Sequence, residues 1–350
     1  MKLTTFTLLP SRSKQRGVAL ITAILVTTLA AIMAVSLISQ QRLEIRRTGN
    51  VLESERAYVF ALGVEGWVKH ILDRDERKKD SLDEDWALNL PPILVEGAQL
   101  AGRIEDMQAR FNLNNLVKAG KLSQPDYQVF QRLLSALGVT PDIANAVVDW
   151  IDEDVDPMSP GGGEDDDYSS LPQPYRAANR PMTSASELML VKGVTPEIYL
   201  QLAPFVVALP GPHTPININT ATAPVLAALV DGLSLNDAQS IATRRETKSF
   251  DSLQEFLQEG EIAKLKTERP RGENEPVDVQ KKLDKNKQTQ ADGGAGTNSI
   301  LAANMAGVTS KFFMLNAAVR FGDRGKADLY SLFWRDGHKV SVVLRSQGVY

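Results

Sequence analysis

Gly17-Val18-Ala19-Leu20-Ile21-Thr22-Ala23-Ile24-Leu25-Val26 opens a stretch without a charged residue before Arg42, and the architecture follows from it. As a helix, Val18 to Gln41 is roughly 36 Å long, enough to cross a hydrocarbon layer of about 30 Å with some tilt. Ahead of it stand Lys2, Arg12, Lys14 and Arg16 with no acidic residue. That bias keeps residues 1–17 cytoplasmic and sends the bulk of the chain across the membrane.

A secretory signal peptide would carry a shorter apolar region followed by small residues, a place that Ala30, Ala31 and Ala34 can fill. No break follows them, however. Gln40-Gln41-Arg42-Leu43-Glu44-Ile45-Arg46-Arg47 leads on to Leu52, Ala57, Phe60, Ala61 and Val64 at helical spacing. The pattern predicts one continuous helix from about Val18 to about Arg74, half for lipid and half amphipathic.

A short basic leader ending in Gly17 and running directly into an apolar helix resembles the leader of type IV pilins and type II secretion pseudopilins. The resemblance implies cleavage by a prepilin peptidase between Gly17 and Val18, with methylation of the new terminus. In that family the fifth residue after the cut is nearly always glutamate. Here it is Thr22, a departure that marks the K-type pseudopilins. A carboxylate in hydrocarbon is costly unless paired, and in major subunits it is thought to pair with a neighbour's N-terminal amine. A subunit without it is suited to the end of a fibre.

Beyond the helix, Pro91 and Pro92 open a connection, and Ala98 to Met107 alternates as a strand before Arg110-Phe111-Asn112-Leu113-Asn114. Phe312 to Phe321, Asp328 to Arg335 and Lys339 to Arg345 read as three more strands, with turns at Gly322 to Gly325 and Asp336-Gly337. One strand before position 110 and three after 310 join one sheet only if the middle is an insertion. That middle is helical by spacing. It holds a weak repeat, Gly138-Val139-Thr140-Pro141 and Gly193-Val194-Thr195-Pro196, with a third unit from Ile216-Asn217-Ile218-Asn219-Thr220-Ala221.

These units resemble helix-hairpin-helix elements, which in DNA-binding proteins offer backbone N–H groups to phosphate. The second glycine of a phosphate-gripping hairpin is replaced by Thr140 and Thr195, and Lys192, Arg244 and Arg245 face a strongly acidic neighbour. Packing within one helical domain is the reading these residues favour, without nucleic acid.

Nine carboxylates fall between Asp149 and Asp167 with no lysine or arginine among them. Such a run stays solvated or collects a hard divalent cation, and calcium tolerates many oxygen ligands in irregular loops. Asp152, Asp154 and Asp156 have the one-three-five spacing of an EF-hand, but Pro157 stands at the glycine position and Gly163 at the bidentate glutamate position. Pro157, Pro160, Pro172 and Pro174 with Tyr168 and Tyr175 argue for a fixed path. The segment from Asp149-Trp150-Ile151-Asp152 to Glu187-Leu188 is similar to the inserted domain of K-type pseudopilins, whose members hold structural calcium. The resemblance implies ligands among Asp152, Asp156, Glu164, Asp165, Asp166 and Glu187.

Composition closes off other classes. Lys+Arg 39 against Asp+Glu 43 gives a net charge of -4, so nothing global draws the chain to nucleic acid. Absence of cysteine removes disulfides, thiol nucleophiles and thiolate metal sites, and His70, His213 and His338 are widely spaced. No catalytic constellation emerges, so the expectation is a non-enzyme.

The expected fold class is α+β: a pilin-like long N-terminal helix packed on an antiparallel sheet, with a large inserted all-α domain containing helix-hairpin-helix-like repeats. The expected segments are a cleaved leader (1–17), a transmembrane half-helix (18–41), a periplasmic helix and first strand or strands of the pilin-like domain (42–114) and the inserted helical domain with its calcium loop (115–263). A flexible linker (264–299) and C-terminal strands (300–350) follow. The resemblance implies a single-pass bacterial inner-membrane protein that starts or caps a short periplasmic pseudopilus and so supports export of folded proteins. Implied partners are the I and J minor pseudopilins, the H subunit, the major pseudopilin, the peptidase and the inner-membrane assembly platform. A minor pilin of a type IV pilus and a membrane-anchored DNA receptor stand as alternatives.

Overall fold

The computed structural model describes residues 16–88, 91–211, 213–268, 301, 304–337 and 339–348. Helix α1 runs unbroken over Arg16–Arg74. Its first half is apolar on every side, with a mean hydropathy of 2.6 in its most apolar window and none of that window buried by the rest of the chain. The second half is amphipathic: Ala57, Ala61, Val68 and Leu72 are fully or almost fully buried at spacings of one and two turns.

They pack on a five-stranded sheet of β1 (Ile93–Val95), β2 (Ala98–Asp106), β3 (Phe312–Phe321), β4 (Gly325–Asp336) and β5 (Lys339–Gln347), antiparallel throughout and ordered as in the chain. Phe313, Leu315, Ala317 and Val319 of β3 alternate toward α1 and join Leu329 and Phe333 of β4 and Trp86 in one core. Trp86 meets the Phe313 ring edge-on at 5.2 Å between centroids. Burying side chains of this size stabilises by about 1.5–3 kcal/mol each.

β2 and β3 are partners from Ala98↔Phe321 to Asp106↔Phe313, although the whole helical unit lies between them in sequence. The Ala98–Phe321 end of that pair adjoins the hairpin whose Arg324 N–H donates to Glu53 Oε2 of α1 at 3.2 Å. The Asp106–Phe313 end adjoins Arg335, which reaches Asp75 just past the end of α1. The insertion therefore leaves the sheet at the end farthest from the apolar half of α1.

Within the insertion the helices are α2 (Gln124–Ala136), α3 (Ile143–Ile151), α4 (Asp165–Ser169), α5 (Pro196–Leu202), α6 (Ala223–Leu229), α7 (Leu235–Thr247), α8 (Leu253–Leu257) and α9 (Gly260–Glu268). They share a core with Phe111, Leu116, Phe130, Ile218 and Phe256. A smaller cluster of Val207 and Leu209 with Phe312, Met314 and Leu332 covers part of the sheet face opposite α1.

Three boundaries differ from the sequence expectation. The helical core begins at Phe111 and includes Leu301, Met305 and Ala306, since Ala306–Gly307 pairs in parallel with Ile216–Asn217. Helix α9 continues through Glu268, into the segment read as a linker from residue 264. Residues 269–300 of that linker, and residues 1–15 of the leader, lie outside the described residues. Strand β1 lies in the expected strand region, but the sequence pattern places only Ala98 to Met107 there.

Candidate cation site and the junction above the sheet

The acidic loop is shaped by one of its own carboxylates. Helix α3 is buried along its whole length, and on it Asp149 is fully buried, accepting the Gly163 N–H at 2.8 Å and the Met158 N–H at 3.1 Å. Gly162 makes that approach possible, since a Cβ there would fall 2.2 Å from Asp149 Oδ2. From the other side Lys192 Nζ donates to the Gly162 carbonyl and to Asp167 Oδ1, both at 2.8 Å. Tyr168 is buried against Trp150, edge-on at 5.3 Å, and stacks with Tyr175 at 5.3 Å. The path is fixed by packing.

Inside this frame Asp152, Asp154 and Glu164 each bring an oxygen within 4.8 Å of the others. Glu164 is 5% exposed, and both of its carboxylate oxygens are buried without a hydrogen-bond partner, as is Asp152 Oδ1. Burial, then repulsion from Asp149 and the other acids, pushes the Glu164 carboxyl up to about 7. Burial and repulsion from Asp154 and Asp149 push Asp152 up to about 6. Unpaired oxygens converging with no cationic side chain among them fit a hard cation such as calcium, whose remaining ligands would come from backbone or water.

Of the other carboxylates expected from sequence, the structure brings none into that group. Asp156 is exposed, and its N–H donates to Asp154 Oδ1 at 3.0 Å. Asp165 is taken up by the Ala177 N–H at 3.0 Å, and Asp166 points to solvent. Glu187 caps the turn at Ala185–Leu190, accepting from the Thr183 N–H at 2.6 Å and Trp150 Nε1 at 3.4 Å. Asp154 was not among the expected ligands, although its one-three-five spacing with Asp152 had marked it.

A second acidic group, Asp75, Asp80 and Glu84, sits where the insertion meets the sheet. Arg335, 5% exposed, engages two of the three: it binds Asp75 at 2.7 Å, pairs with Asp80 and donates to the Ser310 carbonyl at 2.9 Å. Asp80 accepts the Ser310 N–H at 2.7 Å, and its carboxyl is pushed up to about 7 by burial, against the pull of Arg335. Next to it Asp106, pushed up by burial, accepts Ser310 Oγ and Thr220 Oγ1 at 2.6 Å and Asn217 Nδ2 at 2.9 Å. The Ile216-Asn217-Ile218-Asn219-Thr220 segment is thus the buried polar lock between helices and sheet.

The hairpin glycines Gly138, Gly193 and Gly232 all take positive φ, at 70°, 82° and 87°. The glycines themselves are exposed, and what each hairpin sends inward is the residue after its glycine, with Val139 and Leu233 buried and Val194 half-buried against the same core. At the N-terminus Gly17 and Val18 are already helical and open to the surroundings, and Thr22 Oγ1 donates to the Ala19 carbonyl at 3.0 Å. Its side chain is therefore neutral and satisfied inside the apolar run.

A membrane-length helix that becomes the spine of an antiparallel sheet, interrupted by a helical unit, defines a pilin-like, membrane-anchored assembly subunit. Comparisons narrow the class. The family described as type II secretion system protein K matches residues 109–211 and 216–276. Type II secretion system protein K of Pseudomonas aeruginosa is 39% identical over 258 residues, 70% of this chain and 77% of the relative. That of Pectobacterium carotovorum is 32% identical over 97% of this chain and 98% of the relative. The crystal structure of the GspK-GspI-GspJ complex from enterotoxigenic Escherichia coli matches with a TM-score of 0.67 at 26% identity, over 87% of this chain and 100% of that one. The chain belongs to the type II secretion system protein K family and is a minor pseudopilin. These relatives carry the names of secretion-system components rather than of enzymes.

Proposed function

We propose that this subunit starts or caps the tip of the periplasmic pseudopilus and so supports export of folded proteins across the outer membrane. One observation carries the reading: the bulky helical unit sits at the end of the sheet farthest from the membrane half of α1, where the next subunit of a fibre would stack. Thr22 adds to it, because the helix offers no carboxylate to a neighbour's terminal amine.

In this account a prepilin peptidase cuts between Gly17 and Val18, the new terminus is methylated, and α1 rests in the inner membrane with the bulk of the chain periplasmic. The helix then joins the I and J minor pseudopilins, with the H subunit and the major pseudopilin below and the assembly platform at the base. A complex of the I and J partners with the K-type relative supports that choice of partners. The hairpins act as helix-hairpin-helix-like packing units, a reading supported by Val139, Val194 and Leu233, which follow the exposed glycines and pack into the helical core. Asp152, Asp154 and Glu164 would hold calcium, which would supply the positive charge that lets the loop stay folded.

The test is co-expression of the full chain with the I and J subunits and the peptidase, read by intact mass. The account expects a chain lighter by residues 1–17 in a ternary complex, and an unprocessed chain after Gly17→Glu. Processing at Ala34, or a processed chain that binds neither partner, contradicts it.

A further inference from the structure

Three arginines crowd the place where the apolar run of α1 ends. Arg42, Arg46 and Arg47 are exposed, and Glu44, the acidic residue among them, pairs with Arg47 at 3.1 Å. Arg42 and Arg46 lie one turn apart on one face and have no carboxylate partner among the described residues. Like charges at this spacing repel and weaken a helix. The next acid along α1, Glu53, is engaged by the hairpin above, whose Gly325 backbone is so close that a Cβ would lie 2.6 Å from the Glu53 carbonyl. Among the described residues the one carboxylate at the level of Arg42 and Arg46 is Glu44, and Arg47 takes it.

Their depth says what can. Counted from Gln41, Arg42, Arg46 and Arg47 stand about 1.5, 7.5 and 9 Å further along the helix axis. The headgroup layer beyond the hydrocarbon is about 5–8 Å thick on each side. With the apolar run in the hydrocarbon, Arg42 and Arg46 fall in the layer of lipid phosphates. A guanidinium presents a rigid fork of N–H donors that matches two phosphate oxygens at once.

We infer that Arg42 and Arg46 form a collar that binds the phosphates of anionic phospholipids in the leaflet on the globular side, fixing the depth of α1 while the subunit is membrane-resident. The inference rests on reading α1 as a membrane span and not on the role at the fibre tip. Carboxylates of a neighbouring subunit are the rival anion. They are disfavoured because the site lies at headgroup depth and the repulsion exists in the subunit before it has neighbours.

The test reconstitutes the full chain into nanodiscs of phosphatidylcholine with or without phosphatidylglycerol, and reads retained lipid by native mass spectrometry. No other secretion component is present, so the outcome is independent of the tip proposal. Phosphatidylglycerol is expected to be retained roughly tenfold or more over phosphatidylcholine, from two arginines at a charged surface. Arg42→Gln with Arg46→Gln is expected to abolish the preference and Arg42→Lys with Arg46→Lys to keep most of it. Because Lys2, Arg12, Lys14 and Arg16 are a second source of positive charge, on the opposite side of the apolar run in sequence, the same comparison is made with those four changed to Gln. A preference that survives the double Gln change, or that is lost with the leader changes alone, overturns the inference.

Discussion

Glu164 is the residue where burial and charge conflict most directly, since both of its oxygens are buried without a partner beside Asp152 and Asp154. A carboxyl raised to about 7 in the fold and near 4.3 in the unfolded chain contributes stability that is complete below the unfolded value and is lost as pH rises through about 7. Asp152, raised to about 6, acts in the same direction. In chelator, the melting temperature is therefore expected to fall between pH 5 and pH 8; a rise over that range would contradict the assignment. Calcium should restore the loss at pH 8 and do little at pH 5. Glu164→Gln is expected to weaken calcium binding tenfold or more by titration calorimetry, whereas Asp166→Asn should leave it unchanged. The acidic character of this loop was legible in the sequence, but the choice of ligands was not. It depends on Asp149, which reads as one more acid and instead spends its charge on the Met158 and Gly163 N–H groups.

Elements that repeat a local pattern were the most legible. β3 begins and ends where its alternation does, and α1 runs as one helix because nothing between Val18 and Arg74 breaks it. β1 escaped because it is three residues long behind two prolines, and α9 because a short polar helix carries little periodicity. The lock at the top of the sheet was illegible for a different reason: Asp80, Asp106, Asn217, Ser310 and Arg335 are polar residues scattered along the sequence, and only the fold makes them neighbours. Arg335→Met leaves Asp80 buried and without its cation, and is expected to cost about 3–5 kcal/mol by chemical denaturation. Asp80→Asn should cost clearly less, because burial already pushes its carboxyl up and the amide carries no charge that must stay buried, while Arg335 keeps Asp75. Equal costs would argue against the raised value. On the helix–sheet contact, Leu72→Ala is expected to cost about 2–5 kcal/mol.

At the scale of the whole molecule, an apolar half-helix with no residue of its most apolar window buried among the described residues implies burial in lipid or among other helices, and the bulky head at the opposite end is the basis of the proposed limit on growth. If the head caps the fibre, each pseudopilus holds this subunit at one end only, however long it grows. The measurement that tests this most directly is the ratio of this chain to the major pseudopilin, by quantitative mass spectrometry, in sheared fibres fractionated by length. The account predicts a ratio that falls in inverse proportion to length. A ratio constant across fractions would place the subunit along the shaft and contradict the tip.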